Sequence, residues 1–548
     1  MSSDDCATIP QLLLARRKDS AHKPAVIDKA TRLDYAALAT QALRIAAHLV
    51  ELGIERGERV AVLMPPGASW AAVHYGCILS GAIVVPLNLS WQADELAYAL
   101  RHARPRVILA TALWRGKPLA EKIEALVGRF AEHDQAAADA AGFGFMRYGF
   151  LFGGSDVAGV GWRTGTELLT TDASDQAQRQ SERRMARTLP KDSCSIVYTS
   201  GSSGRPKPAL LHHAGLLGGA AAYAASIALQ PDDRMLVPWP TFHVSGISAG
   251  MMMGHLHALP TWLMESYDPG QALDLIEREA LTAFSGFDTT FATMLSHPSF
   301  APSRVASIRR LMLATGPAMF DRVFNAFPSL QIASKCYAMT ETCGPTAVAY
   351  PSLQDVRARK YSQGIAVPGA SFRIVDPATE RELPAGDRGE IRVKGSMLFN
   401  GYFEMPEATR DAFDAEGWFR TGDLGSVSAD GPVYLQGRLK RMIKTGGENV
   451  SEREVEIFLE DALDCVNLAQ VVGIPDPRWG EAVVAFVELR DARTMTQEIL
   501  RERCRGQIAD FKIPKRIWFV RDSEWPRNDV GKISKDALVS LALKNSAQ

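Results

Sequence analysis

The chain has 548 residues, 46% of them hydrophobic and 22% charged, with a formal net charge of -1. This length predicts two or more folding units, and the near-zero charge argues against broad nucleic-acid or anionic-membrane binding. Seven cysteines without CxxC spacing, a start ("MSSDDCATIP") unlike a signal peptide and apolar runs broken by Gly, Pro and His predict a cytoplasmic protein with reduced thiols and no membrane span.

In chain order, residues 36–54 have helical spacing up to Gly53, and "RVAVLMPP" (59–66) reads as a buried strand. A helix, the strand "AIVVPLN" and the strand "RVILAT" (106–111) follow, an alternation that predicts βαβ units and a parallel sheet. Residues 128–190, polar or mixing glycine with aromatics, read as an irregular surface connection. Helix and strand signals resume to about residue 350. Short strands with Gly/Pro turns at 372–376, 389–395 and 431–438 then have an antiparallel character. After a charged stretch, the remainder forms one compact α+β pattern, which puts a boundary near 438–441. The expected fold is α/β: a large N-terminal domain (1–438) of parallel sheets with a β-rich subdomain, and a small α+β C-terminal domain (439–548).

The segment "YTSGSSGRPKPALLHH" (198–213) leaves an apolar strand and enters a run of hydroxyls and glycines that closes on one lysine. Successive N–H groups in such a turn form a concave anion site, with donors from Thr199, Ser200, Ser202 and Ser203, permissive φ at Gly201 and Gly204, and charge from Lys207. It is not a Walker loop, since no GK[ST] follows. Four further segments suit a nucleotide. "YAMTETCG" offers an aromatic (Tyr337), threonines such as Thr340 and a carboxylate (Glu341) able to hold Mg²⁺. "GWFRTGDLG" sets Asp423 among glycines, where one carboxylate can accept both ribose hydroxyls. Arg438 stands at the domain junction and Lys532 in a turn, "PRNDVGKISK". Taken singly, these are solvated or capping residues; the order and separation of all five segments carry the reading.

Together they resemble the adenylate-forming superfamily of acyl-CoA synthetases, luciferases and peptide-synthetase adenylation domains, over residues 20 to 540. The resemblance implies that Thr199 to Gly204 with Lys207 grip the β- and γ-phosphates of ATP, and that Glu341 and Thr199 attend Mg²⁺. Gly316, Pro317 and Ala318 ("ATGPAM") would stand at adenine, with Tyr337 stacked on it and Thr340 nearby. Asp423 and Arg438 would bind ribose. His243 in "PWPTFHVSG" would mark the acyl entrance, and Lys532 would contact the substrate carboxylate and α-phosphate. Lys440 matches the hinge, and Lys444 with Gly446, Gly447 and Glu448 the segment that swings in for the thioester step. Departures are Pro208 after the loop lysine, Ala338 for a common glycine and Glu452 for a common proline.

The implied activity is ATP-dependent ligation of a carboxylic acid to a thiol through acyl-AMP. Coenzyme A is the expected acceptor and a separate acyl carrier protein the alternative; the compact stretch from Gly344 to Gly364 favours coenzyme A. Phe242, His243, Met253, Phe287, Gly316 and Val348 are the expected walls of the acyl pocket, which predicts a bulky hydrophobic acid (aryl, alicyclic, or medium to long acyl). The small-molecule acid is the expected partner, and the assembly a monomer or a homodimer. A competing G-x-S-x-G reading would make Ser248 a hydrolase nucleophile, but a Pro-rich loop precedes it in place of a strand. The "LHH" and "HLH" histidines lack supporting ligand spacing and read as packing or surface residues.

Overall fold

The computed structural model describes residues 6–127, 142–153, 162–199, 206–351, 356–445, 448–490, 495–528 and 531–546, without the side chains of residues 318, 356–358, 440 and 449. Two seven-stranded sheets dominate the N-terminal part. One runs Lys207–His212, Ser193–Thr199, Ile83–Pro86, Arg59–Leu63, Val107–Thr111, Tyr148–Phe152 and Arg163–Thr164. All its neighbours are parallel except the first pair, which is antiparallel. The other runs Ile332–Ser334, Arg310–Ala314, Ala283–Phe287, Met235–Val237, Thr261–Leu263, Pro24–Ile27 and Arg32–Asp34, parallel except the last pair.

The helices Tyr35–Glu51, Ala68–Leu79 and His213–Ser226 contribute to one apolar core with both sheets. Separate cores cover the opposite face of each sheet. Strands buried on both faces need no polar alternation, which is why "RVAVL" and "IVVP" read as unbroken apolar runs. Beyond them, Ala370–Val375, Gly389–Gly395, Phe419–Val427 and Val433–Arg438 form the antiparallel sheet expected from the Gly/Pro turns.

Residues 128–190 are more regular than the sequence suggests. Tyr148–Phe152 is a strand parallel to Val107–Thr111, and Asp175–Ala186 is a helix. The strand lacks alternation because both its faces are covered. The helix buries only Ala177, Ser181 and Met185, one narrow stripe at four-residue intervals that its polar composition hides. Residues 128–141 and 154–161 lie outside the described residues.

From Met442 onward the chain builds its own sheet and two cores of its own. The helix Glu452–Ala462 starts on Ser451, whose hydroxyl accepts from Glu454 N–H. Glu452, in place of the common proline, reaches the Lys535 ammonium at 3.4 Å. No helix among the described residues is long and apolar enough to cross a membrane.

Candidate active site

A cleft of about 2250 Å³ is lined by both the N-terminal sheets and the C-terminal part of the chain. At its polar end, Thr199 and Lys207 face each other across the antiparallel pair Ser193–Thr199 and Lys207–His212. The hydroxyl of Thr199 donates to Lys207 O at 3.3 Å, so the residues flanking the hydroxyl-rich segment are held together. Ser200, Gly201, Ser202, Ser203 and Gly204 themselves lie outside the described residues. Pro208 is the second residue of an outermost strand, a place that tolerates a missing donor.

The Lys207 ammonium lies 4.9 Å from the centre of the Tyr402 ring, and Tyr402 donates its hydroxyl to Glu341 Oε1 at 2.9 Å. Glu341 stands in a single 3₁₀ turn, Thr340–Thr342, and its carbonyl accepts from Phe399 N–H. Tyr402 thus joins the loop lysine to the carboxylate. No motif in the sequence singles it out; only its long-range contacts do.

Asp423 and Arg438 are register partners on neighbouring antiparallel strands, with Arg438 Nε 2.9 Å from Asp423 Oδ1. Tyr337 donates its hydroxyl to the other oxygen at 2.7 Å. Burial raises the pKa of Asp423, opposed by Arg438 and by the Tyr337 bond. Tyr337 is itself buried, and Cys336, Ala338 and Met339 line the cleft at this strand. Here the ring serves as a clamp on Asp423, a role the sequence reading did not give it.

Lys532 reaches the cleft from a tight turn in which its N–H donates to Asn528 Oδ1 at 2.9 Å and its carbonyl accepts from Asn528 N–H at 2.7 Å. Its ammonium lies 4.3 Å from the centre of the Phe287 ring. The residue keeps solvent access, yet crowding by protein lowers its pKa; Arg438 adds to this and Asp288 opposes it. Burial, with a smaller contribution from Lys532, holds His243 down to about 4, so its imidazole is neutral at physiological pH.

The other end of the cleft is apolar. Trp239 and Phe287 stack at 4.7 Å with planes 17° apart, and Phe242, Met312 and Cys336 complete the wall. Phe242, His243 and Phe287, expected as acyl-pocket walls, line this end of the cleft. Met253 and Val348 do not: each is fully buried, Met253 in the main core and Val348 beside Ala222, Val367 and Met397. Their side chains are taken up by packing, which spacing alone does not reveal. Gly316 corrects the sequence reading as well. It is buried, and the space above its Cα holds the Arg453 guanidinium in place of open pocket. Pro317 opens the helix Pro317–Ala326 in a buried position, and the Ala318 side chain lies outside the description.

Lys444 and Glu448 lie on the hairpin Met442–Thr445/Glu448–Ser451 and do not line the cleft. Gly446, Gly447 and the Lys440 side chain are outside the described residues. Ser248 is no exposed nucleophile: it sits buried in the π-helical turn Ser245–Met252 and donates to Leu216 O. His212 caps the helix that follows it, accepting from Gly215 N–H, and His255 bonds Tyr75.

Comparison with known proteins decides the family. The family model described as AMP-binding enzyme matches residues 14–403, and the model of the AMP-binding enzyme C-terminal domain matches residues 456–532. The chain belongs to the AMP-binding enzyme family. It is 29% identical to the putative acyl-CoA synthetase YngI of Bacillus subtilis, over 96% of each chain. It is 31% identical to the 3-[(3aS,4S,7aS)-7a-methyl-1,5-dioxo-octahydro-1H-inden-4-yl]propanoyl:CoA ligase of Mycobacterium tuberculosis, over 98% of this chain and 99% of the other. Among solved structures, ATP-bound MatB from Rhodopseudomonas palustris superposes with a TM-score of 0.79 at 28% identity, covering 97% of this chain and 98% of the other. The fold class expected from the sequence, parallel α/β sheets with a small C-terminal α+β unit, is the one this AMP-binding enzyme has.

Proposed function

We propose that this AMP-binding enzyme is an AMP-forming acid–CoA ligase acting on a bulky hydrophobic carboxylic acid. The observation that carries the reading is the position of Lys532, on the Phe287 ring between the apolar wall and Arg438. An acid seated along Trp239 and Phe287 directs its carboxylate toward that ammonium. The names of similar proteins, which include acyl-CoA synthetases and an alicyclic acid–CoA ligase, point the same way.

In the first step a carboxylate oxygen attacks the α-phosphorus of ATP and pyrophosphate leaves. Lys532 offsets the charge that gathers between carboxylate and phosphate. A preorganised donor of this kind accounts for about 10²–10³ in rate. Lys207 and the loop after Thr199 hold the β- and γ-phosphates, and Asp423 with Arg438 the ribose. Glu341 fits a magnesium site: its carboxylate lines the cleft, bonded to Tyr402 beside Lys207, and would help hold the ion there. When bound, magnesium supplies positive charge to the phosphates.

In the second step the coenzyme A sulfur attacks the acyl carbonyl and AMP leaves with the bonding pair. Lys532 occupies the cleft while Lys444 and Glu448 stand outside it, so thioester formation calls for a second arrangement. We assign the turn to a hinge at Lys440 between units 1–438 and 439–548, which would bring the Gly446–Gly447 loop to the cleft.

Mass spectrometry of purified protein with Mg-ATP and a panel of aryl, alicyclic, long-chain and short acids, with and without coenzyme A, tests the reading. Acyl-CoA from a bulky hydrophobic class is expected. Acyl-AMP that accumulates untouched by coenzyme A, or turnover of acetate alone, would overturn it.

A further inference from the structure

The helix Glu452–Ala462 carries the charges Arg453, Glu456 and Glu460, and from it Arg453 reaches Gly316 of the N-terminal unit. Both carboxylates are nearly fully buried. Glu456 Oε1 accepts from Val471 N–H at 3.0 Å, and Glu460 Oε1 from Ala469 N–H at 3.1 Å, so neighbouring strand backbone fixes them. Glu456 in turn holds Arg453 Nη1 at 3.1 Å. The guanidinium is thereby built into a fixed place, and it projects onto Gly316 of the N-terminal unit.

The fit at Gly316 depends on its lack of a side chain. A methyl group there would overlap Arg453 Nη2 and stand 3.6 Å from Glu460 Oε2. Gly316 N–H donates to Asp288 Oδ1 at 3.0 Å, and the Asp288 carboxylate attracts the same guanidinium. Arg322 Nη1 donates to Asn467 Oδ1 at 2.8 Å and Tyr361 to Asp461 Oδ2 at 3.1 Å, so Arg453 belongs to a wider contact between the two units.

Arg453 is also linked to Lys532. The Lys535 ammonium pairs with Glu456, lies 3.4 Å from Glu452 and donates to Val471 O at 2.5 Å. Lys535 opens the last helix, three residues after Lys532. The chain of contacts Gly316–Arg453–Glu456–Lys535 thus runs from the wall of the N-terminal unit to the turn that carries Lys532.

We propose that Arg453, seated on Gly316 and facing Asp288, is a positioning residue that docks the C-terminal unit in the arrangement placing Lys532 in the cleft. The proposal rests on the ligase reading only for its kinetic consequence. A ligand that turns the C-terminal unit must lift Arg453 from this seat, so the contact biases the adenylation arrangement and is lost in the thioester arrangement.

The test uses the full chain, with donor and acceptor fluorophores at the exposed positions Ser303 and Arg505, one on each unit. Arg453→Met and Gly316→Ala should each broaden the distance distribution away from that of the wild type. In the double variant Gly316→Ala should add nothing, because its clash partner is gone. Kinetically, Arg453→Met should slow acid-dependent pyrophosphate release about tenfold and leave thioester formation from supplied acyl-AMP within about twofold; Arg453→Lys should restore part of the first step. Unchanged distances in both single variants, or equal losses in both half-reactions, would overturn the proposal. A wild type inactive in both half-reactions would overturn the ligase reading instead, while the distances still decide the docking contact.

Discussion

Tyr337 donates its hydroxyl to Asp423 at 2.7 Å, joining two positions 86 residues apart in the chain. Burial is the largest influence on Asp423 and raises its pKa above the ordinary carboxylate value. The native state therefore holds the proton more tightly than the unfolded chain does, and this residue's contribution to stability falls as pH rises through that interval. At neutral pH the ionised carboxylate stands against the fold. Asp423→Asn should leave the melting temperature unchanged or raised while increasing the KM for ATP at least tenfold. Tyr337→Phe removes a bond that lowers the Asp423 pKa, and should shift the acid limb of the ATP KM profile to higher pH. Thermal melts beside ATP-dependent kinetics check both.

Tyr402 has two separable jobs, the ring beneath Lys207 and the hydroxyl on Glu341. Tyr402→Phe keeps the ring and frees the carboxylate, and should raise the magnesium concentration needed for half-maximal rate several-fold. Tyr402→Leu removes both contacts and should also weaken ATP binding. Magnesium titrations at fixed ATP separate the two effects.

His74 is fully buried, stacks on Trp70 at 4.7 Å, and neither ring nitrogen has a partner among the described residues. Burial holds its pKa at about 3, and His255, also buried, is held at about 4. An unfolded histidine titrates near 6.5, so the unfolded chain takes up these protons first as pH falls. Stability should decline between pH 6.5 and 4, by about 1.4 kcal/mol per pH unit for each such group. His74→Leu should flatten this acid slope and raise the melting temperature at pH 7, since it removes a buried ring whose nitrogens have no hydrogen-bond partner among the described residues. Denaturant melts of both proteins at several pH values give the comparison.

Lys532→Ala should lower acyl-AMP formation by about 10²–10³ and spare thioester formation from supplied acyl-AMP. Lys440→Pro, which stiffens the proposed hinge, should do roughly the reverse. Single-turnover assays of each half-reaction measure the split. Equal loss of both steps in both variants contradicts a two-arrangement mechanism.

The residues most legible in the sequence are those whose chemistry is local. Thr199 and Lys207 flank one hydroxyl-rich segment, Glu341 occupies one short turn, and Lys532 lies in a turn shaped by Asn528 and Gly531. Each sits among close neighbours in the chain, so order and spacing alone single it out as a candidate. The strand Tyr148–Phe152 escaped because burial on both faces erases alternation, and the helix Asp175–Ala186 because only a narrow stripe of it packs.

By itself, the sequence determined the alternation of strands and helices and marked the segments proposed for phosphate, carboxylate and lysine chemistry. These follow from local backbone preference and from the short-range chemistry of loops. Tertiary structure alone decided that Tyr402 joins Lys207 to Glu341, that Tyr337 clamps Asp423, and that Trp239 and Phe287 form the apolar wall. It also withdrew Met253 and Val348 into the core and filled the space above Gly316 with Arg453. The physical reason is common to all of these. A side chain's direction and neighbours are set by packing between segments distant in the chain, and spacing along the chain carries no record of that packing.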